Sequence, residues 1–418
     1  MRIAIIGSGV SGLVAAHHLG PRHEVTLFEA DARLGGHAHT VEVEEGDQTL
    51  GLDTGFLVFN SKTYPNFIRI LGELGVPFAA SDMSFSVRSD RRDFEYSGRD
   101  LSSLYSQRRH LVSLRFHRMV WDIARFYREA RALLESGDEI PLGDWLRSRR
   151  FSRAFVDDHL TPMIRAVWSA RREVAEAFPA RFLIRFFKNH GFLELGEQPP
   201  WLTIPGGSRT YVREIAARFR GHIRTSSPVR RILRTGSGVV VEIADCTPER
   251  FDHVVMACHA DQALRLLGDP SSLEHELLGA FPYQRNQAVL HTDERMMPRH
   301  RRTWASWNVH LDDEAAEGAC ITYWLNSLQG LRTSSNYFVT LNRTAAIDPA
   351  KVLRTIEYAH PLFTASGVAQ QRRHGELIGH RDTSYCGAYW RNGFHEDGVV
   401  SALAVCRSLG CDVMERAA

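Results

Sequence analysis

The sequence predicts an α/β fold in which a parallel, doubly wound domain is interrupted by an inserted α+β domain. Three observations lead there. Residues 2–36 run as apolar strand, glycine turn, helix, second strand and second glycine turn. From about Leu101 to Phe192 the apolar period becomes helical, and arginine and histidine alternate with large aromatics, as in Arg115-Phe116-His117-Arg118-Met119-Val120-Trp121. After Trp201 a strand and helix alternation returns, so the first domain resumes beyond the insert. At 418 residues the chain exceeds what one core usually supports.

The first strand, Arg2 to Ile6, stops at Gly7-Ser8-Gly9-Val10-Ser11-Gly12, and Leu13 to Leu19 follow as a helix. In a G-x-G-x-x-G turn the first glycine permits the tight bend and the second lets a pyrophosphate reach the backbone. The third lets helix and strand approach, with the phosphates on the helix N-terminus. The second strand, Glu24 to Phe28, ends in Glu29, 22 residues after Gly7, where a carboxylate can accept from a ribose diol. Alone, this turn leaves dinucleotide binding and a plain glycine turn equally open.

Thr40 to Glu44 and Thr49 to Asp53 alternate as a hairpin about Gly46, and Asp53-Thr54-Gly55 leads out of it. A helix begins near Thr63-Tyr64-Pro65 and ends at Gly75. Met83 to Val87 and Phe94 to Tyr96 are expected to pair. In the returning segment, Tyr211 to Phe219 is helical, strands are expected at Ile223 to Thr225, Val229 to Leu233 and Val239 to Ile243, and Phe251 to Cys258 is expected as one buried strand before a helix from Ala260 to Leu267. Strands around Gln287 to His291, Thr303 to His310, Cys320 to Leu325 and Tyr337 to Leu341 form a second sheet in the insert. The final segment is strand, turn and small-residue helix, from Ser384 to Ala402.

Composition excludes several classes. The formal net charge of +2 gives no global pull toward nucleic acid. Six cysteines without a C-x-x-C pair indicate neither a disulfide framework nor a zinc site, and the twenty histidines form no H-E-x-x-H pattern, so no metal is expected. No apolar run is long enough to span a bilayer and the N-terminus enters a glycine turn by Gly7, so a cytoplasmic protein is expected. Between Arg88 and Arg131, eleven arginines stand against six acidic residues, which allows peripheral contact with the inner membrane face. The alternative is a solvated helix face whose aromatics point to the core.

Arg33-Leu34-Gly35-Gly36 resembles the R-x-G-G element that continues the fingerprint in FAD-containing amine oxidases and carotenoid desaturases. Gly55 to Asn60, Thr63 to Asn66, Ser81 to Val87, Thr322 to Asn326, Tyr385 to Tyr389 and Gly393 to Gly398 are similar to bacterial oxidoreductases of the flavin amine oxidase superfamily. More narrowly, they resemble the flavoprotein module fused ahead of the methyltransferase in plant cyclopropane-fatty-acid synthases. The resemblance implies a Rossmann-like FAD-binding domain of the amine oxidase and glutathione reductase type, built from residues 1–58, 203–284 and 376–418. An α+β substrate domain would take 59–202 and 285–375. It implies FAD held by Gly7, Gly9, Ser11, Gly12, Glu29, Ala30, Arg33, Gly35, Gly36, His37, Thr54, Gly55, Val229, Gly387, His395, Asp397 and Gly398, with a helix starting near Gly398 aimed at the flavin.

Two departures from amine oxidases stand out. His37 occupies the position after Gly-Gly where they usually have arginine, and the last strand carries no paired-tyrosine cage with a lysine. For proton transfer, His395, Glu396, Tyr385 and His37 are the candidates; each has a structural alternative in capping or packing. Phe59, Tyr64, Tyr323, Trp324 and Asn326 are expected to line a substrate pocket. The expected reaction is desaturation of an unsaturated or methyl-branched phospholipid acyl chain. Double-bond isomerisation, amine oxidation and a non-catalytic partner of a lipid methyltransferase are the alternatives.

Overall fold

The computed structural model describes residues 1–136, 140–168, 176–190, 193, 200–311 and 320–413. Phe192, the end of the stretch expected to be helical, lies outside them. The chain divides into two compact units, Met1–Phe78 with Ile204–Tyr283 and Ala365–Ala418, and Ala79–Thr203 with Gln284–Thr364.

In the first unit, β1 (Arg2–Ile6), α1 (Val10–Leu19) and β2 (Glu24–Phe28) occupy the expected residues. β1 pairs in parallel with β2 on one side and with His253–Met256 on the other. His222–Arg224 extends the sheet beyond β2, and Thr383–Tyr385 extends it beyond His253–Met256, both parallel. Ile3, Ala4, Ile5, Val25, Leu27, Val254 and Val255 are wholly buried. These unbroken apolar runs are what a parallel sheet covered on both faces requires. The hairpin is β3 (Thr40–Glu45) and β4 (Gln48–Asp53). α2 (Pro65–Leu74) carries Pro65 in its first turn and stops at Gly75, whose φ of +69° suits glycine.

The run from Phe251 to Cys258 is not one strand. Glu249–Phe251 closes a three-stranded antiparallel sheet with Val229–Thr235 and Gly238–Ile243, whereas His253–Met256 enters the parallel sheet. The division falls at Asp252, whose carboxylate accepts from the Arg2 amide at 2.7 Å and whose own amide donates to the Arg2 carbonyl at 2.8 Å. A continuous apolar run cannot reveal such a bend. The last helix, His395–Ser408, starts three residues before Gly398. At Gly398 that helix meets α1: a Cβ there would lie 2.7 Å from Val10 Cγ1.

The second unit is built on a sheet in the order Val352–Pro361, Tyr283–His291, Phe338–Leu341, Cys320–Trp324, Trp307–His310, Phe85–Ser89 and Phe94–Ser97. Neighbours with a described register are antiparallel except Trp307–His310 beside Phe85–Ser89. The edge strand Val352–Pro361 has no counterpart in the sequence reading, because only Tyr358 among its ten residues is buried and no apolar alternation marks it. A 23-residue helix, Leu114–Ser136, buries Phe116, Met119 and Phe126.

The unit boundaries differ from the expected ones mainly at two crossings. The first lies after Phe78 and not after residue 58, and the last lies before Ala365 and not at 376. α2 belongs to the first unit because the Glu396 carboxylate accepts from the Asn66 and Phe67 amides at 3.0 and 2.9 Å, holding the helix start to the last helix. Among the described residues, no helix is long and apolar enough to cross a membrane.

Candidate functional site

The two glycine turns form a cradle, and each glycine serves a distinct need. Gly7 adopts φ +102°, and a Cβ there would lie 2.9 Å from the Ala257 carbonyl. At Gly12 a Cβ would sit 1.9 Å from the Gly7 carbonyl, so only glycine lets α1 lie this close to β1. Gly9 is different, since a Cβ there meets nothing within 4 Å. Gly9 is the N-cap of α1, which has no side-chain cap and no acidic residue in its first turn. Its amides therefore face an open space at the positive end of the helix.

Gly36, at φ +57°, closes on that space from the other side: a Cβ there would approach the Gly9 Cα to 3.1 Å. Gly35 (φ +111°) donates its amide to the Ser8 carbonyl at 3.0 Å and to Ser8 Oγ at 3.2 Å. Arg33, half-buried beside this turn, has no carboxylate partner among the described residues; its nearest hydrogen-bond acceptor is the Leu34 carbonyl at 3.5 Å.

Glu29 ends β2 at the rim of the cradle. Its carboxylate accepts from the Ser8 amide at 2.9 Å, Ser8 Oγ at 2.6 Å and the Asp31 amide at 3.0 Å. Ala30 is exposed next to it. The Ser227 amide donates to the Glu29 carbonyl at 2.9 Å, which brings the start of Val229–Thr235 to the same rim. Ser11 is buried on the opposite side, with Oγ 2.9 Å from where a Gly398 Cβ would stand. An uncapped helix N-terminus, an unpaired arginine and a carboxylate at the strand end are the donors and acceptor that a dinucleotide diphosphate and ribose need, so FAD fits these residues.

Beyond the cradle, the Phe56 amide donates to the His37 carbonyl at 2.9 Å, and the Thr54 amide and hydroxyl donate to the His39 carbonyl at 2.9 Å. Gly55 is obligatory there, since a Cβ would lie 2.3 Å from the His37 carbonyl. The His37 ring is half-buried, 5.8 Å from His259, which stacks on Tyr283 at 4.5 Å. The sequence reading passed over Asp53. Its carboxylate accepts from Thr40 Oγ1 at 2.6 Å, Ser208 Oγ at 2.7 Å and the Ser208 amide at 2.9 Å, at the start of the Arg209–Arg218 helix. Complete burial, only partly offset by these bonds, raises its pKa to about 6.

At the start of the last helix, His395 lies flat on Phe56 with ring centroids 3.6 Å apart, and its Nε2 is 2.9 Å from Tyr211 Oη. Burial lowers its pKa to about 3, so the ring is neutral. The Glu396 carboxylate caps α2: Asn66 Nδ2 donates to it at 2.7 Å, beside the two α2 amides. Burial raises its pKa, with those bonds opposing. Asp397 caps its own helix, accepting from the Phe394 and Asn392 amides at 2.9 and 3.2 Å, and burial pushes its pKa up to about 7. The Gly387 amide donates to Ser401 Oγ at 2.9 Å, fixing the preceding turn to the helix.

Tyr385 is fully buried, and its hydroxyl donates to Glu274 at 2.5 Å within an ion pair between Glu274 and Arg234 at 2.7 Å. Burial alone would raise the Glu274 pKa; bonds from Arg234, the Ser271 amide and Tyr385 bring it down to about 2. This is a buried network whose charges and hydroxyl are mutually satisfied.

The expected pocket residues fall in both units. Phe59 and Tyr64 are buried in an aromatic cluster of the first unit, where the Phe59 ring meets Phe67 edge-on at 5.4 Å. In the second unit, Asn326 donates to Thr333 Oγ1 at 2.8 Å and accepts from the Tyr337 amide at 2.8 Å, so it holds a turn. Trp324 donates to Asn336 Oδ1 at 3.0 Å, and Tyr323 packs edge-on against Trp307 at 5.1 Å.

A family model for flavin-containing amine oxidoreductases matches residues 10–315. A protein of Mycobacterium tuberculosis named flavin-containing monoamine oxidase is 26% identical over 255 residues, covering 57% of this chain and 53% of that one. The chain thus spans about half the length of that curated relative. Flavin-dependent L-tryptophan oxidase of Lentzea aerocolonigenes is 38% identical over 76 residues, 18% of this chain and 16% of that one. Among solved structures, a fatty acid isomerase from P. acnes superposes with a TM-score of 0.68 at 15% identity, covering 97% of this chain and 98% of that one. Cyclohexylamine oxidase from Brevibacterium oxydans superposes with a TM-score of 0.66 at 16% identity, covering 98% and 99%. At these identities the likeness is one of fold, the amine-oxidase type of FAD-binding α/β architecture. The cradle and the family match agree on the cofactor, FAD: the chain belongs to the flavin-containing amine oxidoreductase family.

Proposed function

We propose that the chain is an FAD-dependent oxidoreductase acting on a fatty acyl chain of a lipid, at a carbon flanked by a double bond or a methyl branch. When bound, FAD supplies the acceptor for two electrons. The observation that carries the reading is the state of the ionisable groups where the last helix begins. His395 is neutral and stacked on Phe56, Glu396 is taken up by Asn66 and Phe67, and Asp397 by Phe394 and Asn392. A methylene gains about 0.8 kcal/mol on entering apolar surroundings. An ammonium brought against the same groups loses several kcal/mol of hydration with no carboxylate free to offset it. Allylic or tertiary carbon stabilises the positive charge that develops as hydride departs, which acidifies the neighbouring C–H, so that its proton can pass to a weak base such as water and no strongly basic side chain is needed.

The fatty acid isomerase neighbour supports the same substrate class with double-bond movement as the reaction. The resemblance to modules joined to lipid methyltransferases supports a phospholipid substrate and such an enzyme as a partner. Amine oxidation is the second reading, favoured by the monoamine oxidase relative. The test is anaerobic incubation of the flavin-loaded protein with phospholipids bearing unsaturated or methylated chains, followed by flavin absorbance and mass spectrometry of the acyl groups. Bleaching in proportion to new double bonds is expected; a shifted double bond without net bleaching marks the isomerase. Lipids left unchanged while a simple amine bleaches the flavin would overturn the proposal.

A further inference from the structure

Eight large apolar side chains are exposed among the described residues, and five of them, Leu101, Leu111, Val112, Leu114 and Trp121, fall within 21 residues of the second unit. Scattered exposed leucines need no explanation, but a local concentration does. Local contacts hold these side chains on one face. Leu101 opens a short helix, Leu101–Leu104, and Tyr105 just after it packs on Phe116 and His117 of the Leu114–Ser136 helix. His117 Nε2 reaches the Leu111 carbonyl at 3.0 Å. Leu114 and Trp121 are two helical turns apart and share one side of that helix, while Phe116, Met119 and Phe126 turn inward. The aromatics are thus mostly core; what is left outside is aliphatic, plus one tryptophan. Leu114 is 86% exposed, Val112 83% and Leu101 75%, so nothing in this unit covers them.

The stretch that carries the patch is rich in positive charge. From Arg99 to Trp121 there are five arginines, Arg99, Arg108, Arg109, Arg115 and Arg118, against one acidic residue, Asp100, whose carboxylate is engaged by the Ser103 amide at 2.7 Å. Arg109, Arg115 and Arg118 are paired with Asp93, Asp158 and Asp122. Arg99 and Arg108, both exposed, have no carboxylate partner among the described residues. Arg118 and Arg125 also bracket the Trp121 ring at 4.6 and 5.0 Å. An indole flanked by guanidinium groups, set among aliphatic side chains, matches the boundary between acidic headgroups and acyl chains.

We infer that the face formed by Leu101, Leu111, Val112, Leu114 and Trp121 docks on a membrane surface bearing acidic phospholipid, with Arg99 and Arg108 in the headgroup layer. The inference is independent of the acyl-chain reading, since a membrane-docked enzyme can act on any substrate. The flavin-loaded full chain is sedimented with phosphatidylcholine vesicles, with and without phosphatidylglycerol. It should bind the acidic vesicles and release as salt rises. Each arginine near an acidic surface changes partitioning by about fivefold, so R99E/R108E should weaken it by at least about 25-fold. L111S/V112S/L114S should abolish it, both variants keeping wild-type flavin content and melting temperature. Equal binding to neutral and acidic vesicles, or none to either, overturns the inference. So does a wild-type dimer that the triple serine variant splits, which would make the face an interface between copies.

Discussion

Gly9 and Gly12 stand in one motif, yet the structure assigns them opposite sensitivities. At Gly9 the backbone lies at φ −62° and a side chain meets nothing. Gly9→Asp should therefore leave a folded, soluble protein that has lost its yellow colour, because the carboxylate takes the place where α1 offers its amides to phosphate. At Gly12 a Cβ collides with the Gly7 carbonyl, and Gly12→Ala should cost more than about 3 kcal/mol, read as a lowered melting midpoint before any effect on flavin. Absorbance and thermal melts of the two variants check both outcomes; a Gly9→Asp protein retaining stoichiometric FAD would refute the cradle. Sequence spacing exposed this motif because glycine leaves a visible signature where backbone meets backbone. For Tyr385 and Glu396 spacing is less informative, because a polar side chain near a suspected site looks the same whether its partners are substrate or structure. Only their distances to Glu274, Asn66 and Phe67 separate the two.

α2 shows how an element can be read correctly and placed wrongly. Proline at its start and Gly75 at its end fixed its limits, but its membership depends on Glu396, 330 residues away from Asn66. Glu396→Gln puts an amide group toward one of three donors and should destabilise the protein by about 1–3 kcal/mol. If Glu396 is a cap, the variant should still turn over at pre-denaturation temperatures, so a large fall in turnover at unchanged stability would restore it as an acid or base. Elements with strong local signals, such as β1, α1 and β2, were legible to the residue. Val352–Pro361 was not, since an exposed edge strand gains its shape from its neighbour's backbone and leaves little trace in its own side chains.

Over the whole molecule, buried histidines outnumber buried aspartates with shifted pKa values, and this sets the response to acid. His18, His159, His253, His291 and His374 are lowered to about 4, and His310 and His395 to about 3, burial being the first cause in each. Between these values and the ordinary 6.5, the unfolded chain binds the protons, so stability is lost as pH falls through that window. Asp53 and Asp397, raised to about 6 and about 7, act the other way, contributing stability that is present at low pH and fades as pH rises toward those values. Seven lowered histidines against three raised carboxylates, Asp53, Asp397 and Glu396, predict a lower melting temperature at about pH 5 than at about pH 7; melts that rise on acidification would contradict it. The parallel sheet carries one more consequence, for synthesis. Its strands follow the order His222–Arg224, β2, β1, His253–Met256, Thr383–Tyr385, so β1 lacks its second neighbour until residue 256 has left the ribosome. At ordinary elongation rates roughly ten to forty seconds separate β2 from that strand. For that interval an apolar strand edge stands open on the nascent chain, a binding site for chaperones and a starting point for misassembly.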